Sequence, residues 1–511
     1  MMSRKVFVIG TGVSGLVAGI YARLAGLDVE MFEAHSMVGG NCTGWNRNGF
    51  HIDGCIQWLT GTKPGTGLNK IWRTCGALGD DVSVYYTEKI ASAVYEGKTY
   101  HLYSDLEKME AELLSISPGD RVAVKKLSRD IRRFQNLNVP INKPFEQMNL
   151  FDILPLVWKL VRSGKPEKKT ETMTIDDYLE EFKSPVIRHL LSCVFPTVMP
   201  VYTMFYSLGI RTSGDGGWPV GGSLEFVKRM QRRFESLGGR IHLGKEVERI
   251  IVKDGKAAGI KLKADDREEI PADYVITAVD ADMLLNRLLG GRYHDRFFEE
   301  RFAELHNYML LSGTYVGLSI HADLGAYPHN IYVRPEKPIR INATELSFFN
   351  VKLYSYDPKF IRDGKTVMTV LLTENEFDYW KALKGRSIEE YKAEKERIAG
   401  WVIGGIVKVF PELEGKIEAL DVATPLTYNK YCNSYRGTYM SFIPYGHVRK
   451  RIHKGTIDGI ENLYIAGQCT FPAGGLSLAA LSGKFAAQRL LKAEGMNSVG
   501  FPATGKKRNG R

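Results

Sequence analysis

Three glycines near the start of the chain limit its fold more than any other feature. Gly10-Thr11-Gly12-Val13-Ser14-Gly15 follows directly on the apolar run Val6-Phe7-Val8-Ile9. After it, Leu16, Gly19, Ile20 and Ala22 continue at helical spacing as far as Gly26. A short, uninterrupted apolar run fits a strand buried on both faces of a parallel sheet. Val29-Glu30-Met31-Phe32-Glu33 then reads as a second strand, so the opening predicts a strand–helix–strand unit. Glycine makes up 52 of 511 residues. Three glycines at fixed positions therefore recur by chance about once in a thousand windows, or about half a time in this chain. The spacing alone is weak, and its place between strand and helix gives it weight. There Gly10 permits the tight turn, Gly12 lets backbone amides approach a pyrophosphate, and Gly15 keeps helix and strand close. Glu33 lies 18 residues beyond Gly15, where a carboxylate can accept hydrogen bonds from an adenosine ribose.

Apolar residues at 44% and charged residues at 25% exclude wholesale disorder, a collagen-like repeat and a polytopic membrane protein. The formal charge of +11 is mildly basic. With no zinc-finger spacing, aromatic RNA-binding strand or basic helix with heptads, no nucleic-acid partner is expected. The six cysteines form no CxxC pair, which fits a reducing compartment, and no signal-like apolar stretch precedes the first glycines. The expected location is cytoplasmic. No metal-ligand spacing or Ser-His-Asp constellation stands out, so no metal is expected.

The order of patterns predicts an α/β chain in interleaved parts. Residues 1–100 read as the first part of a dinucleotide-binding domain, 101–210 as a helical region, and 211–290 as a second part of the domain. Residues 291–430 read as a mixed α+β substrate domain, 431–495 as the third part, and 496–511 as a basic tail. A hairpin is expected over 247–262, a strand over 274–278, and a strand at 463–467 leading through Gly474-Gly475 into a small-residue helix. A second GxGxxG is missing, which argues against a separate nicotinamide domain.

Six residues after Glu33 comes Gly39-Gly40-Asn41. With this pair the chain resembles the FAD-dependent oxidoreductases of the glutathione-reductase-like superfamily, and more closely the phytoene desaturase, carotenoid isomerase and retinol saturase family. The matching pieces are Val8 to Leu16, Glu33 to Gly40, Gly49-Phe50-His51-Ile52-Asp53-Gly54, Trp218 to Gly222, Val247 to Ile250, and Leu463 through Gly483. Asn41 departs from the Arg that many of these relatives carry. The resemblance implies a Rossmann-like FAD-binding domain. In it Gly10, Gly12, Val13, Ser14 and Gly15 would hold the pyrophosphate, and Glu33 the ribose. Gly39, Gly40, Asn41, Gly54 and Ala278 would line the cofactor, and Val247 would meet the adenine. Gly467 and Gln468 would meet the ribityl–phosphate region. The helix opening at Gly475 and Leu476 would face the flavin pyrimidine edge, where a helix dipole stabilises the charge of the reduced ring.

Leu190 to Ile210 contains no charged residue but holds Pro196 and Pro200. That pattern suits a cavity wall better than a membrane span, with Phe195, Met199, Met204 and Phe205 expected to line an apolar tunnel. Leu150 to Arg162 is amphipathic and followed by lysines, a pattern that fits peripheral membrane contact as well as a solvent-facing helix. His51 and Asp53 lie in a motif the family places near the flavin, and His51 is expected to be structural. No catalytic acid or base is assigned. The expected activity is desaturation, saturation or isomerisation of C–C bonds in an apolar polyene, isoprenoid or lipid. Alternatives are a flavin amine oxidase and a non-catalytic prenyl or lipid carrier on the same scaffold.

Overall fold

The strand–helix–strand unit forms as its pattern predicts, with β1 at Lys5–Ile9, α1 at Val13–Leu24 and β2 at Asp28–Phe32. A computed structural model describes residues 4–135, 141–149, 152, 154, 173–194, 196–263, 269–322, 324, 327–445 and 448–496. Three later segments complete the sheet: β3 (Arg240–His242), β4 (Tyr274–Thr277) and β5 (Leu463–Ile465). All four pairings are parallel, in the order β5-β4-β1-β2-β3. Val8 stands opposite both Met31 and Ile276. Val6, Val8, Met31 and Ile276 are all fully buried, as the continuous apolar runs require. The strand order reverses direction at β1, between β4 and β2. In open parallel sheets, ligands bind in the crevice that such a reversal leaves at the carboxyl ends of the strands.

Helix α3 (Leu476–Ala493) returns from β5 and packs across α1. Gly483 makes this approach possible, because a Cβ there would sit 2.1 Å from the carbonyl oxygen of Ser14. Helix α3 is thus held tightly against the start of α1.

A larger sheet forms the second layer, in the order 417–423, 312–320, 365–374, 349–353, 330–333, 89–95 and 98–103, with a short strand at 361–362. All its pairings are antiparallel except the one between 330–333 and 89–95. The expected boundary at residue 100 therefore falls inside a strand, Lys98–Tyr103. The pair 89–103 leaves the parallel unit because its partner is Asn330–Val333, a distant segment that local pattern does not reveal. Helices Leu106–Ile116 and Arg121–Gln135 cover one end of this sheet, and the 22-residue helix Ile388–Val409 packs near the other.

The charge-free stretch divides around its prolines into Pro185–Ser192 and α2 (Val201–Thr212). Among the described residues no helix is long and apolar enough to cross a membrane. The amphipathic segment 150–162, apart from Asp152 and Leu154, lies outside the described residues, as does the tail beyond Met496.

Candidate functional site

A single cavity of about 1140 Å³ begins at the carboxyl end of β1 and runs under the large sheet. Its first part is made of backbone. Gly10 holds φ +92° and donates its N–H to Phe32 O at 2.8 Å, which bends the chain from β1 into α1. Gly12 starts α1 in an extended conformation, and no side chain caps the helix. The first-turn amides therefore have no side-chain acceptor, and the positive end of the helix faces the cavity.

The two other glycines differ in what surrounds them. A Cβ on Gly15 would lie 2.0 Å from Gly10 O, so Gly15 is a packing glycine behind the wall. A Cβ on Gly12 would meet nothing closer than Gly39 O at 3.9 Å. The protein itself leaves that space open, which is what a dinucleotide's phosphates need. At the opposite wall Gly475 has φ +97° and equally open surroundings, the nearest atom being Met440 Cε at 3.9 Å. The start of α3 also carries no side-chain cap. Gln468 fixes the bend between β5 and α3, accepting the Gly475 N–H at 2.8 Å and donating to Tyr439 O at 3.2 Å.

Glu33 is tied to the turn it faces. Its Oε2 accepts from Thr11 N at 2.8 Å and Thr11 Oγ1 at 2.7 Å, and its Oε1 from His35 N at 2.9 Å. Gly10, Gly12, Val13, Ser14, Glu33, Gly39, Gly40, Asn41 and Gly54 all line the cavity, as do Val247, Ala278, Gly467, Gln468, Gly475 and Leu476. Asn41 Oδ1, Ser434 Oγ and Ser441 Oγ are buried on this lining without a hydrogen-bond partner. Such orphans are rare in a finished interior and mark places where a ligand supplies the missing partner. Open glycine cradles at two uncapped helix starts, an acidic strand end and orphaned polar atoms together fit FAD.

Beyond the cradle the walls turn apolar and aromatic, with Ile90, Phe134, Leu310, Leu311, Tyr332, Phe348 and Phe349. Helix α2 contributes Tyr202, Thr203, Tyr206, Ser207 and Arg211. Met199 lies on this wall, but Met204 and Phe205 do not. Met204 is fully buried and Phe205 nearly so, on the other side of α2, where Phe205 meets Tyr178. The helical period sends 203, 207 and 211 one way and 204, 205 and 208 the other, and composition alone could not say which face was inward. Phe195 lies outside the described residues.

His51 and Asp53 stand behind the wall rather than on it. Asp53 accepts from Ser223 N at 2.6 Å, Ser223 Oγ at 2.7 Å and Cys55 N at 3.2 Å, which joins strand Phe50–Asp53 to the helix beginning at Gly222. His51 pairs through Nδ1 with Asn46 Oδ1 at 2.9 Å, and burial lowers its pKa to about 4, so it is neutral at physiological pH. Both are structural.

Sequence reading missed Asp280, Arg211, Tyr315, Asn330 and Asn350. Asp280 follows β4 beside the cradle, and burial raises its pKa to about 6. Tyr315, Asn330 and Asn350 come from strands paired across long separations, so no local signal announces them. Arg211 did have one: it is the charge that ends the longest charge-free stretch singled out in the sequence. Among the described residues no His, Cys, Asp and Glu group gathers as metal ligands.

Comparison with known proteins agrees with this geometry. The sequence model of the family described as flavin containing amine oxidoreductase matches residues 13–491. The chain is 25% identical to the all-trans-retinol 13,14-reductase of Danio rerio, over 95% of this chain and 86% of that protein. It is 26% identical to the phytoene desaturase (neurosporene-forming) of Rhodobacter capsulatus, over 96% of this chain and 94% of the relative. Among solved structures, an oxidoreductase from Methanosarcina mazei shares the fold with a TM-score of 0.59 and 18% identity, covering 96% of this chain and 100% of that one.

Proposed function

The chain belongs to the flavin containing amine oxidoreductase family, and from that premise we propose that it desaturates, saturates or isomerises C–C bonds of a long, apolar, unsaturated lipid or isoprenoid. It is an FAD-dependent oxidoreductase. The observation that carries the reading is the continuity of one cavity from the glycine cradle into a long apolar and aromatic channel. Relatives whose names give retinol and phytoene as substrates support it.

Gly10, Gly12, Ser14 and the start of α1 would hold the pyrophosphate, Glu33 the ribose, and Val247 the adenine. Gly467 and Gln468 would meet the ribityl chain, and the start of α3 the pyrimidine edge. Bound there, the flavin supplies two-electron chemistry. The chain's own part is to position and to exclude water. The walls from α2 and the large sheet hold a hydrocarbon in fixed register, which replaces translational and rotational freedom with one reactive geometry. The buried Tyr315 hydroxyl, held protonated because burial raises its pKa, adds a neutral polar group to the lining.

An amine oxidase is a poorer fit. An ammonium substrate would share the cavity with the buried Arg211 guanidinium, an unfavourable like-charge pair. A carrier has no use for two open glycine cradles at uncapped helix starts.

Anaerobic incubation of the yellow holoprotein with a panel of retinoids and carotenes tests the proposal. The expected products differ from substrate by two hydrogens or by double-bond geometry. Hydrogen peroxide release with simple amines, and no change in any polyene, would contradict it.

A further inference from the structure

Arg211 is a charge for which a purely hydrocarbon substrate has no use. It is 7% exposed, at the end of α2, and lines the channel as well as a smaller cavity beside Asp215 and Trp218. Of its donors, only Nη2 finds a protein acceptor among the described residues, the carbonyl of Ile90 at 2.6 Å. The Trp218 ring lies beside it, 5.8 Å from the guanidinium carbon. No carboxylate pairs with it among the described residues, although a buried charge normally requires one.

The nearby acid is committed elsewhere. Asp215 accepts from the amides of Gly61, Thr62, Lys63 and Gly216 and from Thr62 Oγ1, all within 3.1 Å. Further back, Lys352 is buried as well and donates to Ile56 O. It adds positive charge rather than balancing it. His329 is buried among Trp218, Tyr85 and Tyr356 and held neutral, so it adds no charge. Beside Arg211 on the lining stands Tyr332, whose hydroxyl burial keeps protonated, and Asn330, two residues earlier on the same strand and so on the same face, also lines the cavity.

We propose that Arg211, with Tyr332 and Asn330, forms a subsite for a terminal carboxylate, so that the substrate is a long unsaturated chain ending in an acid. The proposal rests on the apolar-chain reading above and narrows its substrate class. A planar guanidinium with open donors matches a carboxylate in a two-pronged pair. Among the described residues Arg211 is the one cation in this part of the lining, which suits a monoanion. A phosphate or diphosphate carries more charge than Arg211 can offset, and Lys450, the other cation on the lining, is exposed and lies over Tyr202. Arg211 lies nine helical steps beyond Tyr202, which is about 13 Å of wall along which the chain can lie.

Fluorescence titration of the holoprotein with cis-parinaric acid, a polyene acid, and with its methyl ester tests the subsite. The acid is expected to bind at least tenfold more tightly than the ester. In Arg211→Met the preference falls below twofold, and Arg211→Lys keeps part of it. Retained flavin absorbance reports that each variant is folded, and the wild-type acid–ester comparison needs no variant at all. Equal affinity for acid and ester in the wild type overturns the subsite and leaves the apolar-chain reading standing. Binding of neither overturns both. Displacement of the probe by dodecyl phosphate more readily than by dodecanoate overturns the choice of a carboxylate.

Discussion

The two halves of the cavity are built by different means. The half at the carboxyl edge of the parallel sheet is made of backbone: glycines, uncapped amides and a carboxylate tied to a turn. The half under the large sheet is made of side chains drawn from α2 and from strands far apart in sequence. A backbone site tolerates almost no added atoms, because amides and carbonyls cannot move aside. A side-chain site tolerates exchange of one apolar group for another of similar volume. In the proposed reading the first half takes the flavin, and the second is the part that can specialise.

The sharpest way to break this contrast is to add atoms where backbone meets backbone. Gly483→Val would place a Cβ 2.1 Å from Ser14 O. The expected cost exceeds about 3 kcal/mol, read as loss of the cooperative thermal transition together with the flavin. A flavin-bound variant with an unchanged melting temperature would show that the contact is not rigid. Ser207→Phe fills the channel from α2 without touching the cradle. Flavin content is expected to stay the same while turnover of polyenes falls more than tenfold, measured by product formation.

A graded effect is expected at the ribose. Glu33→Gln exchanges charged for neutral hydrogen bonding at Thr11 and His35. FAD affinity should fall roughly thirtyfold, about 2 kcal/mol, as measured by titrating the apoprotein with FAD. The smallest effect is at Asp280. Burial raises its carboxyl from 3.8 to about 6, so the fold favours the protonated form. That stabilisation is complete below about pH 4 and is lost as the pH rises through about 6. After allowance for partial exposure the loss is on the order of 1 kcal/mol. Asp280→Asn should therefore melt higher than the wild type above pH 6 and equally near pH 4.

What the sequence disclosed follows the same division. A backbone site is local, so Gly10, Gly12 and Glu33 could be singled out from their place between strand and helix, and the return at Gly467 to Leu476 from resemblance. The channel is not local. Met204 and Phe205 are as apolar as the residues facing the cavity, and only the packing of α2 turned them into the core, with Phe205 against Tyr178. Residues 89–100 read as part of the first domain and 101–103 as part of the helical region, but the strand pair 89–103 joins the large sheet through Asn330–Val333. Arg211 was visible as the first charge after a long apolar run, yet its meaning depended on Asp215 being fully engaged by amides.

The flavin content of the wild type and of Gly12→Ala, each measured against protein after heat release, tests the central claim most directly. A Cβ at Gly12 has 3.9 Å of clearance within the protein, so the variant should fold and melt like the wild type. The account predicts about one FAD per wild-type chain and a folded, colourless variant. A variant as yellow as the wild type, or a well-folded wild type that takes up no FAD, would contradict it.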